Sequence, residues 1–225
     1  MPTVLVTGAN RGIGLEFVKS FAADGWRVHA CARNVEKAKE VRALEGDVVC
    51  HKLDVTNGLK VANLARSMAE EPIDILINNA GQRGPKTAFG ETDYDAWASV
   101  LLVNTLAPLR LVERFIGHVE KSERKLVVNI SSRLGSIAEC SGDDYIYRSS
   151  KAALNMVTKT LSRDLQDRGV TVVSLHPGWV RTDMGGSAAA ISPGESVAGI
   201  RKVIDGLTAK DSGGFFNFDG TPLEW

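Results

Sequence analysis

A chain of 225 residues with 44% hydrophobic side chains has ample material for a core, which excludes a disordered chain or a disulfide-stapled mini-scaffold. Lys+Arg and Asp+Glu both total 27, so no net field exists to hold nucleic acid or an acidic membrane surface. The three cysteines (Cys31, Cys50, Cys140) form no CxxC pair and the four histidines (His29, His51, His118, His176) are scattered without ligand spacing, so neither a disulfide framework nor a metal site is expected.

The apolar stretch Val4-Leu5-Val6 is too short for a signal segment, and no run nears the roughly 18 apolar residues of a spanning helix. The expectation is a cytoplasmic protein with no membrane partner. In chain order, strands are expected at Thr3–Thr7, Arg27–Ala32, Asp47–Leu53, Ile73–Asn78, Lys125–Ser131, Val170–Leu175 and Phe215–Phe218. Helices are expected near Gly12–Asp24, Val35–Leu44, Gly58–Glu70, Tyr94–Glu120, Tyr147–Gln166 and Pro193–Leu207. Ser192-Pro193-Gly194-Glu195 reads as a capping box with proline at the first helical position, and Thr92 with Asp95 as a weaker cap. Strand and helix in alternation predict an α/β fold: a doubly wound parallel sheet (Rossmann type) of about seven strands, helices on both faces, in one domain over residues 1–225.

The loop Thr7-Gly8-Ala9-Asn10-Arg11-Gly12-Ile13-Gly14 follows the first strand and opens the first helix. Glycines let backbone approach a pyrophosphate closely, and the helix N-terminus offers free N–H groups to the anion. No Gly-Lys-Ser/Thr closes this loop, so nothing reaches a γ-phosphate or Mg²⁺, and a dinucleotide fits better than a nucleoside triphosphate. The second strand ends Ala30-Cys31-Ala32-Arg33, without the acid that accepts a ribose 2′-hydroxyl. Arg33 and Arg11 are two guanidiniums able to fork onto a 2′-phosphate, which points to NADP, with NADPH preferred over NADH.

Tyr147-Arg148-Ser149-Ser150-Lys151 sets a phenol and an ammonium one helical turn apart. A tyrosine titrates near pH 10, so acid/base work near neutrality requires it to fall by about 3, worth ~4 kcal/mol. One positive charge at ~4 Å in an effective dielectric of ~20 supplies about that much. Tyr145 has only Ser149 at the matching position, so Tyr147 is the better candidate. Upstream, Asn129-Ile130-Ser131-Ser132 ends a strand with hydroxyls able to hold a carbonyl oxygen, and strand alternation lets one of the two serines reach the site.

Thr7–Gly14, Asn78-Asn79-Ala80-Gly81, Ser132, Tyr147 with Lys151, and Pro177-Gly178 occur in this order. The chain thereby resembles, over essentially its whole length, the short-chain dehydrogenase/reductase family. The string His176-Pro177-Gly178-Trp179-Val180-Arg181-Thr182-Asp183-Met184-Gly185-Gly186 and the ending Gly213-Gly214-Phe215-Phe216 are similar to its C-factor and sniffer-type carbonyl reductase branch. The resemblance implies that Ser132 orients the substrate, Tyr147 donates the proton, Lys151 lowers the tyrosine and bonds the nicotinamide ribose, and Asn104 anchors a relay water. It also implies cofactor contacts from Asn78, Ala80 and Gly81, from Asp54 and Val55, and from Pro177, Gly178, Val180 and Thr182.

Residues Glu139–Asp144 look like a small insertion between Ser132 and Tyr147, and the region after Thr182 is short, suggesting a small or mobile lid. The implied activity is carbonyl reduction on a small molecule; the alternative is a C-factor-like dinucleotide-binding signalling or sensor protein. A serine hydrolase is excluded by the missing Gly-x-Ser-x-Gly elbow. The resemblance also implies a homo-oligomer. Ala152, Ala153 and Met156 give a small-residue surface suited to close helix packing, between chains or within one.

Overall fold

The computed structural model describes residues 1–36, 38–68 and 71–225. Seven strands form one all-parallel sheet: β1 (Thr3–Thr7), β2 (Arg27–Ala32), β3 (Val48–Lys52), β4 (Ile75–Asn78), β5 (Leu126–Ile130), β6 (Thr171–His176) and β7 (Phe215–Asn217), in the order β3-β2-β1-β4-β5-β6-β7. The expected doubly wound fold is what forms. Its order reverses between β1 and β4, and a crevice opens there at the strands' carboxyl ends.

Strand alternation distributes the core. Val4 and Val6 of β1 face one layer and Leu5 the other, and the same parity holds for Ile75 and Ile77 against Leu76 in β4. The first layer is closed by α1 (Gly12–Ala23) and α7 (Pro193–Gly206), through Phe17, Phe21, Val197 and Ile200. The second is closed by α3 (Gly58–Met68), α5 (Ala107–Glu120) and α6 (Tyr145–Asp164), through Val61, Leu111, Phe115 and Leu161. Strands covered on both faces explain why the sequence shows near-continuous apolar runs.

Several elements differ from the sequence expectation. The second helix, α2, is one turn at Lys39–Arg42 rather than Val35–Leu44, and residue 37 of that span lies outside the described residues. The end of the third expected helix, at 69–70, also lies outside them. Asp93, not Thr92, caps α4 (Tyr94–Leu101), its carboxylate accepting from Ala96 N at 2.9 Å. The long helix expected over Tyr94–Glu120 is interrupted by a π-helical turn, Leu102–Leu106, before α5. Pro108 lacks the N–H that an α-helix would pair with the Asn104 carbonyl, and Ala107 N–H instead reaches back five residues to Leu102 O.

The capping box at Ser192 forms as read. Glu195 N donates to Ser192 Oγ at 3.2 Å and Ser192 N to Glu195 Oε2 at 2.7 Å. Ser192→Ala should therefore cost about 1 kcal/mol, read as a lower urea midpoint with an unchanged slope.

Candidate active site

A cleft of about 980 Å³ runs along the carboxyl ends of the strands. Gly8, Asn10, Arg11, Gly12, Ile13 and Gly14 line one end, with Arg33, Asp54 and Val55 beside them. Ala80 and Gly81 follow β4, Tyr147 and Lys151 come from α6, and Pro177 and Thr182 follow β6.

The glycine loop is built by close backbone passage. Gly8 and Gly12 have φ of +66° and +55°, in the left-handed region that favours glycine. A Cβ on Gly14 would stand 2.2 Å from Gly8 O, and one on Gly8 would stand 2.9 Å from Ala80 Cα. Asn79 locks this arrangement: its Nδ2 donates to Thr7 O at 2.9 Å and Gly8 O at 3.3 Å. Asn79 N and Ala80 N both donate to Thr7 Oγ1, at 3.0 and 3.1 Å. The loop therefore presents bare backbone to the cleft at a helix N-terminus, which fits a bound pyrophosphate.

Five of the residues expected at the site do not line the cleft. Asn78 sits in a buried row with Asn129 and Ser174, which are in register across β4, β5 and β6. Its Nδ2 donates to Asn129 Oδ1 at 2.8 Å, on the face covered by α6. Asn79, one residue on, is the asparagine at the cleft. Gly178 (φ +82°) is packed against Ile191 and Phe218, and Val180 is buried in a bridge with Ile191; both shape the segment after β6 from behind. Ser132 and Asn104 are buried and act on cleft residues from beneath.

Arg11 does not reach toward Arg33. Its Nη1 is 2.5 Å from Asp183 Oδ2, tying the glycine loop to the segment after β6, with both side chains exposed. The expected two-arginine fork is thus reduced to Arg33, which stands exposed at the end of β2. Arg33 also helps hold the Asp54 carboxyl below the usual range, where the hydrogen bond from the Thr56 hydroxyl acts most strongly.

Around the phenol the strand-ending serines separate, as parity requires. Ser131 Oγ donates to Asn155 Oδ1 at 2.6 Å under α6, while Ser132 shares a hydrogen bond with the Tyr147 hydroxyl. Lys151 Nζ lies 5.8 Å from the centre of the Tyr147 ring and donates to Ile130 O at 2.8 Å. Asn104 Nδ2 donates to Ser150 Oγ at 3.0 Å, and Ser150 Oγ in turn donates to Tyr147 O. The four residues expected to carry chemistry thus form one connected group.

Their electrostatics differ from the sequence expectation in one respect. Burial pushes the Tyr147 phenol up to about 12, against which the Ser132 hydrogen bond and then the Arg83 charge pull it down. Burial also brings the Lys151 ammonium, which donates to the Ile130 carbonyl, down to about 8. Arg83 and Asp144 were not read from the sequence. No pattern marks them, because their pairing depends on loops that meet only in the fold.

His176, at the end of β6, is held near 4 by burial first and then by Arg133, although Glu139 and Asp219 pull upward. His51 on β3 is likewise held near 4 by burial and by His29, whose Nδ1 is 2.8 Å from His51 Nε2. Both rings are favoured neutral when folded, whereas unfolded histidine protonates from about pH 6.5 downward. The unfolded chain binds more protons in that window, so stability should fall as pH drops from about 6.5 to about 4. Urea titrations across this range check the slope, and His176→Gln should flatten it.

A doubly wound parallel sheet with a glycine loop at its switch point and a tyrosine–lysine pair facing the same cleft defines the α/β class of dinucleotide-cleft proteins. The chain belongs to the short-chain dehydrogenase family of oxidoreductases, whose model matches residues 2–191. It is 43% identical over 162 residues to C-signal of Myxococcus xanthus, covering 72% of this chain and 98% of that one. It is 36% identical to the 1-hydroxy-2-glutathionyl-2-methyl-3-butene dehydrogenase of a Rhodococcus species, over the full length of both. Among solved structures, the carbonyl reductase Sniffer of D. melanogaster superposes with a TM-score of 0.94 at 34% identity over the whole of both chains. An NADPH-bound carbonyl reductase from chicken fatty liver gives 0.92 at 34% identity, over 100% of this chain and 99% of that one. Among the described residues, no helix is long and apolar enough to cross a membrane.

Proposed function

We propose that the protein is an NADPH-preferring carbonyl reductase, reducing an aldehyde, ketone or quinone to an alcohol on one domain over residues 1–225. The observation that carries this reading is that Tyr147 and Lys151 line the same cleft as the glycine loop, with Ser132 hydrogen-bonded to the phenol from beneath. Gly8, Gly12 and Gly14 would hold the pyrophosphate, Arg33 the 2′-phosphate, and Asp54 with Val55 the adenine side. When bound, the reduced nicotinamide supplies the hydride.

This chain's own residues handle the oxygen and its proton. Ser132 donates a hydrogen bond to the carbonyl oxygen, and Tyr147 protonates it as negative charge develops there. Lys151, which lines the same cleft, would bond the nicotinamide ribose and carry the proton supply, with the Asn104 and Ser150 hydrogen bonds fixing the backbone of the helix that bears Tyr147. Free Cys140 on the surface fits a reducing cytoplasm. Met156, exposed on α6, leaves that face open to a second copy of the chain.

The likeness to C-signal favours a second reading, a dinucleotide-binding signalling protein with little turnover. The complete Ser132, Tyr147, Lys151 and Asn104 set argues for chemistry, because a sensor needs only the glycine loop. Turnover of a panel of aldehydes, ketones and quinones, followed at the nicotinamide absorbance, separates them: tight NADPH binding with no turnover supports the sensor.

Tyr147→Phe should lower kcat by roughly 10²–10⁴-fold, with NADPH affinity retained in a fluorescence titration. Full activity in that variant removes Tyr147 as the acid. Arg33→Ala should weaken NADPH by about 10–100-fold, the loss of charge-assisted hydrogen bonds, and leave NADH unaffected. Equal weakening of both nucleotides would remove the phosphate assignment.

A further inference from the structure

The segment Glu139–Asp144 and the loop after β4 meet directly over Tyr147. Gly142, Asp143 and Asp144 have consecutive positive φ values of +88°, +57° and +53°, two of them on residues with side chains. Such a run persists only where surrounding contacts hold it, and functional sites are where it concentrates. Here two ion pairs hold it. Arg83 donates to Asp144 Oδ2 from both Nε (3.1 Å) and Nη2 (2.7 Å), and Lys86 Nζ is 2.7 Å from Asp143 Oδ2.

Arg83 is fixed from its other side as well. Asn104 pairs with both backbone groups of Gln82, accepting from its N–H at 2.9 Å and donating to its carbonyl at 2.8 Å. Gly84 (φ +75°) follows, where a Cβ would meet Val100 at 2.9 Å and Ile146 at 3.0 Å. The result is a guanidinium whose Cζ stands 5.6 Å from the centre of the Tyr147 ring, as near as the 5.8 Å of Lys151 Nζ. Asp144, 3% exposed, has its Oδ1 buried without a partner, so its carboxylate is committed to Arg83 on one oxygen alone.

We propose that Arg83, locked by Asp144, is a positioning residue that fixes a second positive charge beside Lys151 against the Tyr147 ring and thereby favours the phenolate in the reaction. This rests on Tyr147 being the proton donor of the proposed reaction. The groups facing the phenol are Ser132 from the loop after β5, Arg83 from the loop after β4, and Asp144 and Lys151 from the start and second turn of α6. The Lys86–Asp143 pair lies exposed beyond them, and Arg148 turns away to Ser141 Oγ at 2.8 Å. Arg83 lowers the phenol and Asp144 raises it, the arginine acting more strongly. The pair is therefore not neutral toward Tyr147.

The test is the pH profile of kcat/KM in both directions for the full chain and its variants, read as a property of the Tyr147–Lys151 pair together. Arg83→Met should move the phenol limb upward by about half a pH unit or more. Arg83→Lys should bring it back toward the wild-type position. If Arg83→Met fails to fold because Asp144 is left buried and unpaired, the double variant Arg83→Met/Asp144→Asn removes both charges and should still move the limb upward. A limb that stays in place in these variants, or that Arg83→Lys fails to restore, overturns the proposal. The alkaline onset of Tyr147 ionisation in ¹³C-tyrosine NMR, with Tyr147→Phe identifying the resonance, reads the same shift without turnover. A later onset in Arg83→Met supports the proposal and an unchanged onset overturns it. Activity retained in Tyr147→Phe would instead remove the catalytic reading, so the two failures are distinguishable.

Discussion

Gly8 O lies 2.2 Å from where a Cβ on Gly14 would stand, and Asn79 Nδ2 is bonded to that same carbonyl. At this crossing the first helix, the first strand and the end of β4 come within backbone contact of one another. Any side chain at Gly14 would have to displace main chain rather than a flexible neighbour, so the constraint admits glycine alone. The cleft inherits its floor from it. Where α1 begins and how close Ala80 stands to the glycine loop both follow from how closely these three segments pass.

The same crossing explains which parts of the site were legible in the sequence. The glycine loop announces itself because its chemistry is local: a strand, three glycines and a helix within Thr3–Ala23. Tyr147 and Lys151 are legible for the same reason, being one turn apart on one helix. The Asn78–Asn79 dipeptide is different. Strand parity says that the two side chains face opposite ways, but which one meets the glycine loop depends on β4 lying beside β1, a pairing separated by about seventy residues. Asn78 continues the row Asn78, Asn129 and Ser174 beneath α6, and no local signal gives that register.

Ion pairs between loops were the least legible feature, and for a related reason. Arg11 is read most simply as a phosphate ligand from its place in the glycine loop, yet its nearest carboxylate in space is Asp183, 172 positions away. Arg83 lies in a polar loop with no pattern to distinguish it from a solvated surface arginine. Residues Glu139–Asp144 read from the sequence only as extra length, and it takes the fold to show Asp144 turned inward at positive φ to meet Arg83. The π-helical turn at Leu102–Leu106 belongs with these, since the periodicity over Tyr94–Glu120 reads as one helix and only the fold shows the break ahead of Pro108, where Asn104 clamps Gln82.

The electrostatics of Tyr147 join these strands of argument. Burial acts on the phenol and the ammonium in opposite senses but to one end, driving Tyr147 up to about 12 and Lys151 down to about 8, so each is pushed toward its neutral form. The same surroundings strengthen the charge of buried Lys151, while the Arg83 side chain, 40% exposed, is partly screened by solvent. A buried acid of this kind gains most from fixed partners, and the chain supplies them: Ser132 at the hydroxyl, Ile130 O holding the Lys151 ammonium in place, and Asp144 holding the Arg83 guanidinium. Each partner is anchored by a contact on its far side, so none has to reorganise as charge develops on the phenol oxygen. The strain at residues 142–144 thus serves the same end as the glycine crossing, which is to hold groups along the cleft in fixed positions.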